Sequence, residues 1–171
     1  MILLLLAAGA TVSGAYAQGI GLRVGYFKGT SFSGNTQGSS VSLQGFRAGA
    51  DFSVFKLPLG VADLRISPTI NFGGSNRKGA DSDGTMLCVL ANAKFSVPGS
   101  LMYGIAGVGY GTVRPRGGAN FDSRSGAYMQ LGLGMDIGPK LPLAPQPFVE
   151  LGYAFGEKAL SGLSIDVGVR F

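Results

Sequence analysis

The chain has 171 residues, enough for one ordinary domain and too few for two comfortable ones. Glycine fills 30 positions with no G-X-Y period, and charged residues make up 13% where roughly 25% is usual, which excludes collagen, a charged disordered chain and a normally hydrated soluble surface. The net charge is +5, there is no histidine, and the single cysteine is Cys88, so imidazole catalysis, histidine metal sites, Ser-His triads, an internal disulfide and a cysteine zinc site are all excluded.

Residues 1–17 read as a secretory signal peptide: Ile2 to Val12 form an apolar core, and Ala15-Tyr16-Ala17 supplies the small-x-small cleavage pattern. No Lys or Arg precedes that core. The expected domain organisation is a signal at 1–17 followed by a barrel over 18–171.

From Gly19 onward apolar residues alternate with small or polar ones, the period of a strand and not of a helix. In the first run Ile20, Leu22, Val24 and Tyr26 oppose Gly21, Arg23, Gly25 and Phe27. In the second, Phe46 to Val54 oppose Arg47, Gly49, Asp51 and Ser53, and in the third Ala62 to Phe72 oppose Asp63, Arg65, Ser67, Thr69 and Asn71. The fourth sets Leu87 to Val97 against Cys88, Leu90, Asn92, Lys94 and Ser96. In the fifth, Met102, Ala106, Val108 and Tyr110 face away from Gly107 and Gly109. The sixth opposes Met129 to Ile137 with Gln130, Gly132, Gly134 and Asp136, the seventh Val149 to Phe155 with Glu150, Gly152 and Ala154, and the last Leu163 to Phe171 with Ser164, Asp166, Gly168 and Arg170.

Eight runs of about ten residues have the length of tilted strands that cross a bilayer. Residues 29–40, 73–84 and 112–125 are long polar connections, whereas 56–60 and 98–100 are tight turns carrying Pro58, Pro98 and Gly99, the asymmetry of an outer-membrane barrel. Residues 139–146 form a longer turn and 156–161 a short loop. Alternation alone does not say which face is outside, but composition does. A soluble barrel would turn its glycine-rich face to water, whereas small residues suit the crowded interior of eight strands. The expected fold is an all-β, eight-stranded, antiparallel, up-and-down transmembrane β-barrel.

The YGIAGVGYG and FVELGYAF segments and the terminal GLSIDVGVRF, ending in Phe171, resemble the small OmpA-like and OmpX-like outer-membrane barrels of Gram-negative bacteria over residues 18–171. The resemblance implies an integral outer-membrane location, and it implies that Phe171 belongs to a signal read by the barrel-assembly machinery. It also implies outer-membrane lipid and lipopolysaccharide as surroundings. It implies no single activity, because such barrels include adhesins, stabilisers and lipid enzymes.

The inward face carries Arg23, Arg47, Arg65, Lys94 and Arg170 against Asp51, Asp63, Asp136, Glu150 and Asp166, a sum of zero, which points to ion pairs in a filled lumen. Favouring opposite charges across the second and third strands sets Asp51 opposite Arg65. A basic wall on the first four strands then faces an acidic wall on the last three. The positive excess lies in loops and turns, with Arg114, Arg116 and Arg124 in the longest loop as candidate contacts for a host or surface ligand. With the basic excess in loops and the interior neutral, no nucleic-acid partner is expected.

Other motifs carry less. The Gly104 to Gly111 pattern continues as a strand instead of opening a helix, so it does not make a phosphate loop. Asp81-Ser82-Asp83-Gly84 lacks the remaining calcium ligands. Cys88 faces inward as a small buried residue. No catalytic residue, metal site or cofactor is expected, and the chain reads as a non-enzymatic structural or adhesin-like barrel. The alternatives are a narrow ion-conducting pore and a lipid-modifying barrel enzyme, the latter opposed by the missing histidine.

Overall fold

The computed structural model describes residues 19–34, 40–57, 62–74, 83–97, 99–116, 121–138 and 144–171. The expected signal segment, Pro58, Asp81, Ser82, Pro98 and most of 139–146 lie outside the described residues. The strands are β1 (Ile20–Gly29), β2 (Phe32–Ser33), β3 (Ser40–Val41), β4 (Gln44–Lys56), β5 (Ala62–Gly74), β6 (Gly84–Ser96), β7 (Met102–Pro115), β8 (Arg124–Asp136), β9 (Gln146–Gly156) and β10 (Gly162–Arg170).

Eight of them close into one antiparallel barrel in the order β1-β10-β9-β8-β7-β6-β5-β4. Closure is made by the first and last strands, which pair from Gly21↔Arg170 to Gly29↔Gly162. Every long strand thus has two partners and the barrel itself has no open edge, as a barrel in hydrocarbon requires. The expected fold class is what the structure shows.

The apolar face of each strand is outside. Leu22, Val24, Ile66, Val89, Val108, Leu131, Leu133, Leu151, Ile165 and Val167 are all exposed, while the alternate positions are buried or half-buried. Ala62 departs from its face: it is small, lies opposite Phe95, and is buried. Aromatic side chains sit near the ends of this apolar wall. Tyr26, Phe46 and Phe72 stand side by side across β1, β4 and β5. At the opposite end Phe52 pairs with Ile20, whose carbonyl accepts the Phe171 N–H at 2.8 Å.

Three expectations need correction. First, β4 and β5 pair with Phe46 opposite Phe72 and Ser53 opposite Arg65, which brings Asp51 level with Ser67 and not with Arg65. Direct charge pairing does not choose this register, because in a narrow lumen a long arginine reaches carboxylates on other strands. A bulge between Ser53 and Phe55 turns both Val54 and Phe55 outward. Second, the strands run further than the alternation suggested: β5 reaches Gly74, β7 reaches Pro115 and β8 begins at Arg124. The connections given as 73–84 and 112–125 are accordingly shorter. Third, the first long connection contains the β2–β3 ribbon, with Phe32 opposite Val41. Two residues per strand are too few to register as alternation.

Candidate functional site

Alternation places one or two charged side chains on the inner face of every barrel strand except β7. The Arg23 guanidinium, on β1, lies against Asp51 of β4, 3.1 Å from Glu150 and 3.7 Å from Asp166. Asp51 also accepts the Ser67 hydroxyl at 2.6 Å, and Ser67 in turn accepts Asn92 at 2.8 Å. Arg47 reaches Asp166 at 3.6 Å. Arg65 pairs with Asp63 at 2.8 Å, two residues along its own strand, and approaches Glu150 at 3.8 Å.

Nearer the end of the barrel that holds Phe171, Lys94 and Arg170 grip Asp136 at 2.9 and 2.7 Å, and Arg170 also contacts Glu150. Tyr103 sits beside them. Its hydroxyl donates to Glu150 at 2.9 Å, and its ring lies 3.8 Å from the Lys94 ammonium. Phe148 supplies a second ring under the Arg170 guanidinium, 3.6 Å away.

The structure therefore brings the ten inward charges into one network, with Glu150 as its hub: three arginines and a tyrosine converge on one carboxylate. Strands β1, β4 and β5 are tied across the interior to β9 and β10. Ions removed from water must be compensated by their partners, and here the two signs balance.

Sequence reasoning missed Tyr103, Tyr128 and Phe148, which are buried inside the barrel. The signal was present in the glycines. A Cβ on Gly134 would collide with the Tyr103 ring, and one on Gly109 would come within 2.6 Å of the Tyr128 ring. Neighbouring strands leave out side chains where these rings must lie.

Above the ionic layer the lumen becomes apolar. Phe27, Leu43, Met86, Cys88, Leu90, Val113, Tyr128 and Leu160 pack together with Phe32 and Val41 of the ribbon and with Phe121. A cavity lined by Phe27, Leu43, Asn71 and Met86 measures about 10 Å³, room for one water. The Cys88 thiol is free and buried in this layer. Among the described residues no group of three or more His, Cys, Asp or Glu could hold a metal ion.

The three loop arginines separate. Arg114 lies within β7 and is exposed, and Arg116, just beyond it, is exposed too. Arg124 begins β8 and is engaged: it donates to the Ser33 carbonyl at 3.0 Å, lies over Phe32 at 5.2 Å and stands 3.9 Å from Glu157. The expectation that all three occupy one loop is corrected, because the barrel wall extends to 115 and resumes at 124. Phe171 is exposed at the end of the last strand, 64% accessible.

A closed eight-stranded barrel with an apolar exterior and a filled, charge-balanced interior is the architecture of the small outer-membrane barrels. Among solved structures the chain is similar to Ail, the attachment invasion locus protein of Yersinia pestis, crystallised with the heparin analogue sucrose octasulfate; the identity is 16%, the match covers 91% of this chain and 100% of that one, and the TM-score is 0.56. It is also similar to Neisserial surface protein A, at 12% identity over 92% of this chain and 97% of that one, with a TM-score of 0.50. No family model and no curated protein matches the sequence.

Proposed function

We propose that this protein is an integral, non-enzymatic outer-membrane barrel whose outer end displays a cationic surface to polyanions, such as the phosphates of lipopolysaccharide or sulfated glycans of another cell. The observation that carries this reading is the pair Arg114 and Arg116, both exposed where β7 leaves the barrel wall, with exposed Lys28 on β1 and exposed Lys158 in the β9–β10 turn at the same end. Arginine suits such ligands because its planar fork binds sulfate and phosphate oxygens in pairs.

The outward apolar wall supports the membrane setting, since hydrocarbon is the solvent that tolerates it. Ail provides a precedent of the same fold crystallised with a sulfated sugar. The interior supports a structural role over a catalytic one: Glu150, Asp136 and Asp166 are each engaged by arginine or lysine and shut away from substrate.

The test is binding of the refolded barrel to immobilised heparin and to lipopolysaccharide vesicles at increasing salt. Arg114→Ala with Arg116→Ala should weaken binding on the order of tenfold and flatten its salt dependence, with strand content unchanged. Equal binding by the double variant would overturn the assignment of this surface. Altered lipid A in cells expressing the protein would overturn the non-enzymatic reading.

A further inference from the structure

The outer end of the barrel is built differently from a set of independent loops, and Arg124 is the reason. We infer that Arg124 is a positioning residue that clamps the β2–β3 ribbon over the barrel mouth, joining three connections into one preformed cap, and is not itself a ligand contact. This refines the display surface proposed above and stands on separate observations.

The ribbon has one buried face: Phe32, Val41 and Leu43 are each less than 5% exposed. Phe32 meets Phe121, from the connection before β8, edge to face at 5.6 Å. The turn after β9 contributes Ala159 and Leu160, both buried in the same cluster. Thr30, at the root of the ribbon, bonds that turn through backbone and side chain: its N–H donates to the Ser161 carbonyl at 2.8 Å, and its hydroxyl is shared between the Lys158 carbonyl at 3.0 Å and the Ser161 carbonyl at 3.3 Å.

Arg124 closes this arrangement from the opposite wall. A two-stranded ribbon has two free edges, and the Arg124 guanidinium donates to the Ser33 carbonyl, on β2, at 3.0 Å. The same group covers the Phe32 ring at 5.2 Å and stands 3.9 Å from Glu157, on the turn that Thr30 holds. One side chain thus touches the ribbon's backbone, the ribbon's aromatic anchor and the neighbouring turn. The pair with Glu157 is about one-third exposed on both sides and is the weakest of the three contacts, whereas the carbonyl bond and the ring contact rest on the planar guanidinium.

Hydrogen exchange on the refolded barrel in lipid provides the test, and it needs no ligand. Arg124→Ala should speed amide exchange at Phe32, Val41 and Leu43 on the order of tenfold or more, leaving the core of β5 to β8 protected. Arg124→Lys should recover little of that protection, since an ammonium cannot both cover the ring and hold the carbonyl in the same way. Glu157→Gln should change it less than threefold. Unchanged ribbon exchange in Arg124→Ala, or full protection in Arg124→Lys, would overturn the clamp. So would an Arg124→Ala barrel that keeps its ribbon protected yet loses heparin binding, because Arg124 would then be a ligand contact. Loss of heparin binding by the Arg114 and Arg116 variant bears on the display surface alone and leaves the clamp unaffected.

Discussion

At the scale of the single residue, Glu150 is where the interior is most vulnerable. It receives Arg23, Arg65 and Arg170 as well as the Tyr103 hydroxyl. Glu150→Gln preserves shape and the tyrosine bond but leaves three guanidiniums without their shared counter-charge. Breaking a buried pair by removing one partner costs about 3–5 kcal/mol, so that is the expected loss. Tyr103→Phe removes a hydroxyl and keeps the ring beside Lys94, and should cost about 1–2 kcal/mol. Urea titration of the barrel refolded into vesicles, read by the mobility difference between folded and unfolded bands, checks both values. A Glu150→Gln barrel as stable as the parent would show that the lumen charges are solvated and not paired.

At the scale of the element, each strand's facing was legible because period two survives over ten residues and a one-residue slip would expose every charge to the outside. Register was less legible. The choice between alternative pairings of β4 and β5 rested on Asp51 and Arg65 facing each other, but Arg23 reaches Asp51 from the strand on the other side. Long side chains in a narrow lumen decouple ion pairing from strand pairing. The ribbon was illegible for another reason, since β2 and β3 are defined by where Phe32 packs and not by any local period. The rings of Tyr103 and Tyr128 could have been read from the glycines that face them, Gly134 and Gly109, once the inward parity of those strands was set.

The facing of β8 also yields a test of its solvent. Leu131 is at mid-strand and 54% exposed on the apolar wall, with Ala106 and Tyr153 as its cross-strand partners. If that wall meets lipid, Leu131→Arg should destabilise the refolded barrel by about 2–4 kcal/mol, whereas Thr85→Arg near a strand end should cost about 0–1 kcal/mol. A barrel whose wall met water would tolerate both alike. Vesicle unfolding titrations of the two variants separate these outcomes, and equal small effects would rule out the membrane-facing assignment.

At the scale of the whole molecule, the remaining question is whether the barrel conducts. Eight strands enclose little more than the side chains they carry. Here the lower part of that space is filled by ten charged groups in mutual contact and by the Tyr103 and Phe148 rings. The upper part is filled by an apolar layer running from Leu90 to Phe121 and Leu160. An ion entering from outside would have to pass this apolar layer and then displace a salt bridge, and both steps are costly for a charge stripped of its hydration. The two barriers are in series, so opening one is not enough. Planar bilayers holding the refolded protein should therefore show no stepwise conductance, and Arg124→Ala, which loosens only the outer cap, should stay equally silent. Arg23→Ala with Glu150→Ala, which opens the ionic layer but leaves the apolar layer in place, should stay silent as well. Regular current steps from the unmodified protein would show that the lumen opens as a pore, and steps from Arg124→Ala alone would show that the ionic layer is no barrier.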